Sequence, residues 1–413
     1  MQGLFMKKIN IALLLAFVMT NTVADDFETK FNYFGNLMTS NLSRDGYVLN
    51  NYLHSDTVKT PSLSPYSKVG GQLSIFKDDL SFTAQVIVQN NNEGYQVKIP
   101  WLNVKYNFNE NLSLRAGRMQ TTLLLNSDSA NIDYIHTMAH NSFEVYRLMA
   151  IDSYNGFEVI YNDSLNDEYS YSLILTPYAR SKEDVNSGYE SETQMEMKRA
   201  IGARVNITNN DEFEFVASYT KLKLSIPDNA KLKTVVAGLE AINDMSRYSN
   251  ENIDVSIVTL ALKYGYENYF LNSEVAKLQT KSFLSAAIAY SVMLGYKIDK
   301  FTPYIAYSRK ISDSEKFDTS HIQATSPLEN ILKTGLNDLL YLSDANQKTI
   351  STGFRYDLSP GIALKLQIDR ITNSNYGSSS GTGIYKSGGI LLKKAGVSDK
   401  PLYVYTAGLS FAF

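Results

Sequence analysis

An all-β fold, a transmembrane antiparallel β-barrel of about sixteen strands, is what the sequence predicts, on three observations. Apolar and polar residues alternate at period two in one segment after another. The connections between these segments are short and long in turn, and the chain ends on an amphipathic strand whose last residue is Phe413.

At the start of the chain, Met6-Lys7-Lys8, the apolar run Ile11 to Met19 and the small-residue end Thr22-Val23-Ala24 have the layout of a secretory signal. Cleavage is expected after Ala24, which sets residues 1–24 apart as a signal peptide from a single barrel domain over 25–413. A membrane anchor is the other reading, but the run falls far short of the roughly 20 apolar residues that span a bilayer.

The 413 residues carry 39 Lys and Arg against 42 Asp and Glu, a mildly acidic balance that argues against a nucleic-acid partner. There are no cysteines, which excludes disulfides, thiolate chemistry and Cys-ligated metal. No apolar run of helix-spanning length follows Met19, yet 29 Tyr and 19 Phe make the chain aromatic. A mean hydropathy of −0.21 looks soluble, but such averages conceal a barrel, in which only alternate residues face lipid.

Strands come next. From Leu80, Phe82, Ala84, Val86 and Val88 share one face, with Ser81, Thr83, Gln85 and Gln89 on the other; Ile87 alone breaks the pattern. Leu102, Val104, Tyr106 and Phe108 alternate in the same way with Asn103, Lys105 and Asn107, and Tyr169, Tyr171, Leu173 and Leu175 with Ser170, Ser172 and Thr176. Continued along the chain, the pattern predicts strands near 31–42, 67–76, 80–89, 100–108, 112–120, 154–162, 169–179, 199–208, 212–225, 254–266, 269–280, 283–298, 301–312, 347–357, 362–373 and 401–413.

Short turns are expected at 77–79, 109–111, 164–167, 209–211, 267–268, 298–300 and 358–361. Longer loops fall at 43–66, 90–99, 121–153, 180–198, 226–253, 313–346 and 374–400, with one short exception at 280–282. Outer-membrane barrels sort their connections this way, with the short turns periplasmic and the long loops extracellular. Two loop segments have helical periodicity. In Pro327 to Leu340, Leu328, Ile331, Leu332, Leu336, Leu339 and Leu340 follow Ser326 as a cap; Ala230 to Met245 is a weaker case. Their apolar faces either pack on the loop crown or fold inward and narrow the mouth.

The final strand puts Tyr403, Tyr405, Ala407, Leu409, Phe411 and Phe413 on one face. An ordinary soluble sheet would leave this strand as an aggregation-prone edge, whereas closure against the first strand removes it. The pattern resembles the signal read by the outer-membrane barrel-assembly machinery, with Tyr405, Phe411 and Phe413 as its carriers.

Sixteen strands enclose a lumen wide enough for water. The polar faces carry Lys105, Arg115, Glu158, Arg204, Glu214, Lys263, Lys297, Arg355, Lys365 and Asp369, charges tolerated at that depth only toward an aqueous interior. The loop after the fifth strand, Thr121 to Ser153, carries Asp128, Asp133, Glu144 and Asp152 against one cation, Arg147. Folded inward, these acids would face a basic wall of Lys105, Arg115, Arg355 and Lys365 and set up a transverse field at a constriction. Left outside, they would be solvated charges on an external loop.

The stretches Ser67 to Gln89, Leu102 to Gln120 with its Arg-Ala-Gly-Arg run at 115–118, and the terminal YVYTAGLSFAF resemble the Gram-negative porin superfamily, in particular the porin-like proteins of gammaproteobacteria. The resemblance implies a homotrimeric barrel in the outer membrane, in contact with its lipid and lipopolysaccharide, that passes small hydrophilic solutes passively and without a cofactor. In trimeric diffusion porins the loop equivalent to 121–153 makes the constriction; here Met-Gln-Thr-Thr follows Arg118, a departure at its root.

Three rivals stay open. An outer-membrane enzyme would need a nucleophile or metal site, and His136-Thr-Met-Ala-His140 has the spacing of a zinc helix without the glutamate of a metalloprotease. A substrate-specific channel, for oligosaccharides for example, would display an aromatic slide, but Trp101 is the only tryptophan and most Tyr and Phe fall on the lipid-facing stripe. A structural or adhesin barrel with a blocked lumen is kept open by the two loop helices.

Overall fold

The computed structural model describes residues 27–413 apart from 45–46, 51–54, 57–60, 64–65, 92–93, 150, 189–190, 210–211, 228–229, 285, 313–318, 344–345, 374–384, 388–390 and 395–399. The expected signal peptide lies outside the described residues. In chain order the strands are β1 (Glu28–Leu42), β2 (Tyr47–Asn50), β3 (Ser55–Asp56), β4 (Lys68–Lys77), β5 (Leu80–Asn91), β6 (Gly94–Asn107), β7 (Leu112–Gln120), β8 (Ser153–Ser164), β9 (Ser170–Gly188) and β10 (Ser191–Asn209). They continue as β11 (Phe213–Ser225), β12 (Ile253–Tyr266), β13 (Tyr269–Thr280), β14 (Ala287–Tyr296), β15 (Phe301–Ser312), β16 (Gln347–Ser359), β17 (Ile362–Asn373), β18 (Tyr385–Ser387), β19 (Leu391–Lys394) and β20 (Leu402–Ala412). Helices α1 (Phe143–Tyr146), α2 (Ala230–Leu239) and α3 (Pro327–Ser343) sit between them.

Sixteen of the strands, β1, β4 to β17 and β20, form one closed antiparallel barrel in which every strand pairs with its neighbours in sequence around the wall. Closure is made by β1 on β20, in register from Phe34↔Ala412 to Leu42↔Val404. Below that register Tyr33 and Phe413 exchange both backbone hydrogen bonds at 2.9 Å, and their rings lie 5.1 Å apart. No edge is left for another chain to extend.

Period-two alternation then sorts the side chains. On β1, Phe31, Tyr33 and Leu37 are exposed to the outside, while Phe34, Asn36, Met38 and Ser40 are buried toward the lumen. On β17 the lumen side is Ala363, Lys365, Gln367 and Asp369, all fully buried. Three of the short turns contain a residue in the left-handed region, Asp78 (φ 49), Glu267 (φ 53) and Asp299 (φ 52), the conformation a tight hairpin between right-twisted strands needs.

The strand ladder differs from the sequence reading in its polar margins. Segments 90–99 and 180–198, expected as loops, are hairpin extensions: β5 and β6 pair out to Asn91↔Gly94, and β9 and β10 to Ser191↔Gly188. The β9–β10 extension is mostly polar, with Met195 and Met197 near its root, so little alternation marks it, whereas in the β5–β6 extension Tyr95, Val97 and Ile99 alternate with Gln96 and Lys98 and continue the pattern. Residues 283–286, expected in a strand, precede β14. The long loops 43–66 and 374–400 contribute a small separate sheet in the order β18-β19-β2-β3.

Helix α3 begins as expected. Glu329 N–H donates to Ser326 Oγ (3.2 Å) and Ser326 N–H to Glu329 Oε2 (2.9 Å), a capping box; the bonds the carboxylate accepts from Ser326 and Thr325 hold it below the usual carboxylate range. Both helices turn part of their apolar faces inward, while Leu328 and Ile331 at the start of α3 stay exposed. Leu232, Val235 and Leu239 of α2 and Leu336 and Leu340 of α3 join one buried cluster with Met197, Leu222, Leu224, Val255 and Ile257, which stand at inward positions of β10, β11 and β12. The helices touch so closely at Gly238 that a Cβ there would lie 2.4 Å from Leu332 Cδ1. At the long-loop end, this sector of the lumen is therefore an apolar core.

Candidate functional site: a loop pinned across the lumen

Residues 121–152 connect β7 to β8 and run inside the barrel. The chain enters with Thr122 and Leu124, whose carbonyls accept from Arg204 Nη1 of β10 (2.8 and 3.2 Å), and with Leu123, whose carbonyl accepts from Ser218 Oγ of β11 (2.9 Å). Leu125 N–H donates to Glu274 of β13 (3.0 Å), which also accepts from the Tyr146 hydroxyl (3.0 Å). Burial, with Glu274 beside it, pushes the Tyr146 phenol well above its ordinary value, so it stays a donor.

Further along, the loop crosses to the opposite wall. Lys68 Nζ meets Asp133 Oδ2 at 3.0 Å and the Ala130 carbonyl at 2.9 Å, and Asn36 Nδ2 donates to the same Asp133 oxygen. Lys365 Nζ donates to the carbonyls of Asp133, His136 and Met138. Arg355 Nη1 donates to the carbonyls of Tyr134 and His136, its guanidinium lies over the Tyr134 ring at 4.7 Å, and its Nε meets Asp357 at 2.8 Å. His136 is buried with Nε2 against the Ser129 carbonyl (3.1 Å); desolvation lowers its pKa to about 4, so the ring is neutral at pH 7.

The return leg is equally held. His140 Nε2 lies 3.0 Å from Asp369, and its ring stacks on Tyr66 and Phe143 at 4.7 and 4.3 Å. Glu144, in α1, is buried and accepts from Ser308 Oγ (2.5 Å), Gln347 Nε2 (2.6 Å) and Thr349 Oγ1. Arg147 lies over the Phe143 ring at 5.8 Å. Asp152 is exposed at the loop's base, its N–H donating to Glu183 of β9 (3.2 Å).

Of the residues read as an acidic loop facing a basic wall, Asp133 comes together with Lys365, and Lys68, not singled out from sequence, supplies the direct ion pair. Asp128 lies 3.6 Å from Arg204 and is half-exposed. Glu144 meets hydroxyls and an amide, and Asp152 meets no cation of that wall. Arg115 pairs with Glu158 across β7 and β8 and lies 5.0 Å over the Trp101 ring. Lys105 stands directly opposite Arg115 in the β6–β7 register. The wall thus grips the loop chiefly through its backbone carbonyls, which no sequence pattern displays. His136-Thr-Met-Ala-His140 is not helical, and its two histidines point to different partners.

On the side of the short turns the lumen is an open cavity of about 650 Å³ beneath the loop, reached by Met138 and Tyr146 from above and by Lys263, Lys297, Arg355 and Asp357 from the wall.

These elements define a sixteen-stranded barrel of the transmembrane type whose lumen is crossed by an inward-folded loop, the fold of the outer-membrane porins. The anion-selective porin of Comamonas acidovorans matches at a TM-score of 0.51 and 13% identity over 94% of this chain and all of that one. The outer-membrane channel DcaP of Acinetobacter baumannii matches at 0.51 and 11% identity, covering 94% and 99% of the two chains. OmpF of Salmonella typhi, in complex with daunomycin, matches at 0.51 and 13% identity, covering 95% and 99%. Neither a family model nor a curated protein matches the sequence.

Proposed function

We propose that this chain is an outer-membrane porin, a water-filled channel for passive diffusion of ions and small hydrophilic solutes, with the 121–152 loop as its constriction. The observation that carries the reading is a closed sixteen-stranded barrel with a polar, charged inner wall that holds a loop across the lumen while leaving an open cavity beneath it. Two of the compared structures carry the words porin and channel in their own descriptions, which supports a transport role over an enzymatic one. In the same reading Asp128, Asp133, Glu144, Asp152 and Arg147 belong to the constricting loop, and Lys105, Arg115, Arg355 and Lys365 to its wall. The working unit is a homotrimer, surrounded by outer-membrane lipid and lipopolysaccharide and inserted by the barrel-assembly machinery after removal of residues 1–24.

Planar-bilayer recording of the purified protein tests it. Stepwise conductance with a defined reversal potential in a salt gradient is expected; a correctly folded barrel that stays silent overturns the channel reading. Mobility on unboiled gels with and without crosslinking tests the trimer.

A second reading has its own observation. The apolar cluster that joins α2 and α3 to inward residues of β10, β11 and β12 obstructs one sector at the long-loop end, which favours a narrow or closed mouth over a wide one. A barrel that conducts only after these helices are displaced would be the result expected of it.

A further inference from the structure

The outside of the barrel is not uniform around its circumference. On β15, β16 and β17 the outward residues, read away from the short turns, run Ile305, Tyr307, Arg309; then Phe354, Thr352, Ile350, Lys348; then Leu366, Ile368, Arg370. On all three strands the apolar run gives way to a cation at the long-loop end. Arg309 and Lys348 stand directly opposite each other in the β15–β16 register. Arg370 stands opposite Ile350, which puts it diagonal to Lys348 on the same face. All three side chains are exposed, and none makes an ion pair among the described residues.

Like charges placed directly opposite on a sheet destabilise the pairing, and an anion held between them relieves that repulsion. Elsewhere on the same rim the one outward acid of β12, Asp254, is already bound to Lys223 at 3.1 Å. The flanking outward residues of the three-cation patch are Tyr290, on one side of Arg309, and Tyr403, beside Arg370, with no carboxylate among the described residues of that face. Beyond Tyr403, the outward positions Thr39 of β1, Val69 of β4 and Val88 of β5 carry no charge.

Position fixes the kind of anion. The aliphatic stems lie along apolar strand surface while the charged heads stand at its upper margin, the arrangement that long cations adopt at a membrane interface. A phosphate there is held by the planar fork of a guanidinium and by a neighbouring ammonium. We propose that Arg309, Lys348 and Arg370 form a binding site for the phosphate groups of an anionic glycolipid in the outer leaflet, a phosphorylated lipid A headgroup whose acyl chains lie against Ile305, Ile350 and Ile368. The proposal rests on the reading of the chain as an outer-membrane barrel with its long loops outward.

The test uses the full barrel refolded in detergent and native mass spectrometry with three probes: diphosphoryl lipid A, the dephosphorylated glycolipid and inorganic phosphate. Wild type is expected to retain diphosphoryl lipid A, and Arg309→Gln/Lys348→Gln/Arg370→Gln to bind it roughly a hundredfold more weakly, at about fivefold for each interfacial cation lost. Lys300→Gln, a matched charge loss at a short turn, should leave retention unchanged. Equal retention by wild type and triple variant, or equal binding of the dephosphorylated glycolipid, overturns the site. Binding of inorganic phosphate as tight as that of lipid A would make this a free-anion site and overturn the lipid assignment. Heat-modifiable gel mobility separates the two levels: a wild type that never forms a barrel sinks the outer-membrane reading, whereas a folded barrel without lipid discrimination sinks only the site.

Discussion

The ammonium of Lys365 donates to the carbonyl of His136 at 2.5 Å, from a strand position with no exposure to solvent. It also reaches the carbonyls of Asp133 and Met138, so one wall cation satisfies three backbone acceptors of the loop. Lys365→Met keeps the stem and removes the donor, leaving those carbonyls buried and unpaired. We expect a loss of about 3 kcal/mol in the docking of the loop, read as a lower urea midpoint, together with a larger and noisier conductance. Trp101, the only tryptophan, gives a local signal because its indole N–H donates to Gln120 at the loop's root (3.3 Å). Unchanged Trp101 emission and conductance would show that Lys365 does not hold the loop.

Arg115 and Glu158 make a second, wall-to-wall relationship, and the Glu158 side chain is wholly buried. Arg115→Met strands that carboxylate, so a destabilisation of about 3–5 kcal/mol is expected in denaturant unfolding of the folded barrel. Arg115→Met/Glu158→Gln should recover much of it. A double variant as unstable as the single one would assign the loss to the cation stacked on Trp101 instead of the ion pair.

How much of this was legible in the sequence follows from which interactions side-chain type encodes. All sixteen barrel strands had a counterpart in the alternating pattern because lipid and lumen impose opposite polarity on successive residues, as at Leu102 to Asn107. Where the sequence is mostly polar, as in the upper β9–β10 hairpin, that alternation fades and the extension was not visible. The loop's charges were visible too, but their partners were not. Lys365, Arg355 and Arg204 reach backbone carbonyls, acceptors that every residue carries. Glu144 looked like a free charge and is enclosed by Ser308, Gln347 and Thr349, residues some 160 to 205 positions away. The inward apolar residues of β11 and β12, Leu222, Leu224, Val255 and Ile257, become intelligible only once α2 and α3 are seen against them.

Two of the loop acids, Asp133 and Glu144, separate in role. Asp133 keeps part of its surface and is paired with Lys68, so Asp133→Asn leaves that cation unmatched beside the lumen. The reversal potential in a salt gradient should move toward anions by several millivolts, a shift on the order of that expected for one unscreened charge near a narrow pore. Glu144→Gln should act differently. Its new amide donors would meet three donors already pointing at that position, so the loop loosens and thermal stability falls by roughly 1–3 kcal/mol before selectivity is touched. A pure selectivity change in Glu144→Gln, at wild-type stability, would place its carboxylate at the channel instead.

If the α2–α3 pair narrows the mouth, splitting it should widen the channel without unfolding the wall. Leu336 is completely buried between the helices, and Leu336→Glu forces a charge into that contact. The barrel itself rests on its strand ladder, so heat-modifiable mobility should persist while single-channel conductance rises at least about twofold, an order-of-magnitude expectation for opening a blocked sector of a sixteen-strand lumen. Conductance equal to wild type in a folded variant would show that the helices sit clear of the conducting path.

Phe413 is placed to act in two ways that experiment can separate. Its backbone exchanges both hydrogen bonds with Tyr33, and its ring lies against the Tyr33 ring across the closing seam. Phe413→Ala preserves the backbone pair and removes only the ring, which should cost about 1 kcal/mol in a barrel refolded from denaturant. Deleting Phe413 also removes the two hydrogen bonds and should cost about 1–3 kcal/mol more. Purely structural action through the seam predicts that the amount of protein reaching the membrane in cells falls in that same order, with Phe413→Ala nearly unaffected. Recognition of the terminal aromatic by the assembly machinery predicts that Phe413→Ala and the deletion both lose most of their membrane-inserted protein while Phe413→Ala still refolds well in detergent. Phe413→Tyr, which keeps an aromatic ring at the end of β20, should then restore insertion; if it does not, the requirement is for this seam contact and not for a terminal aromatic.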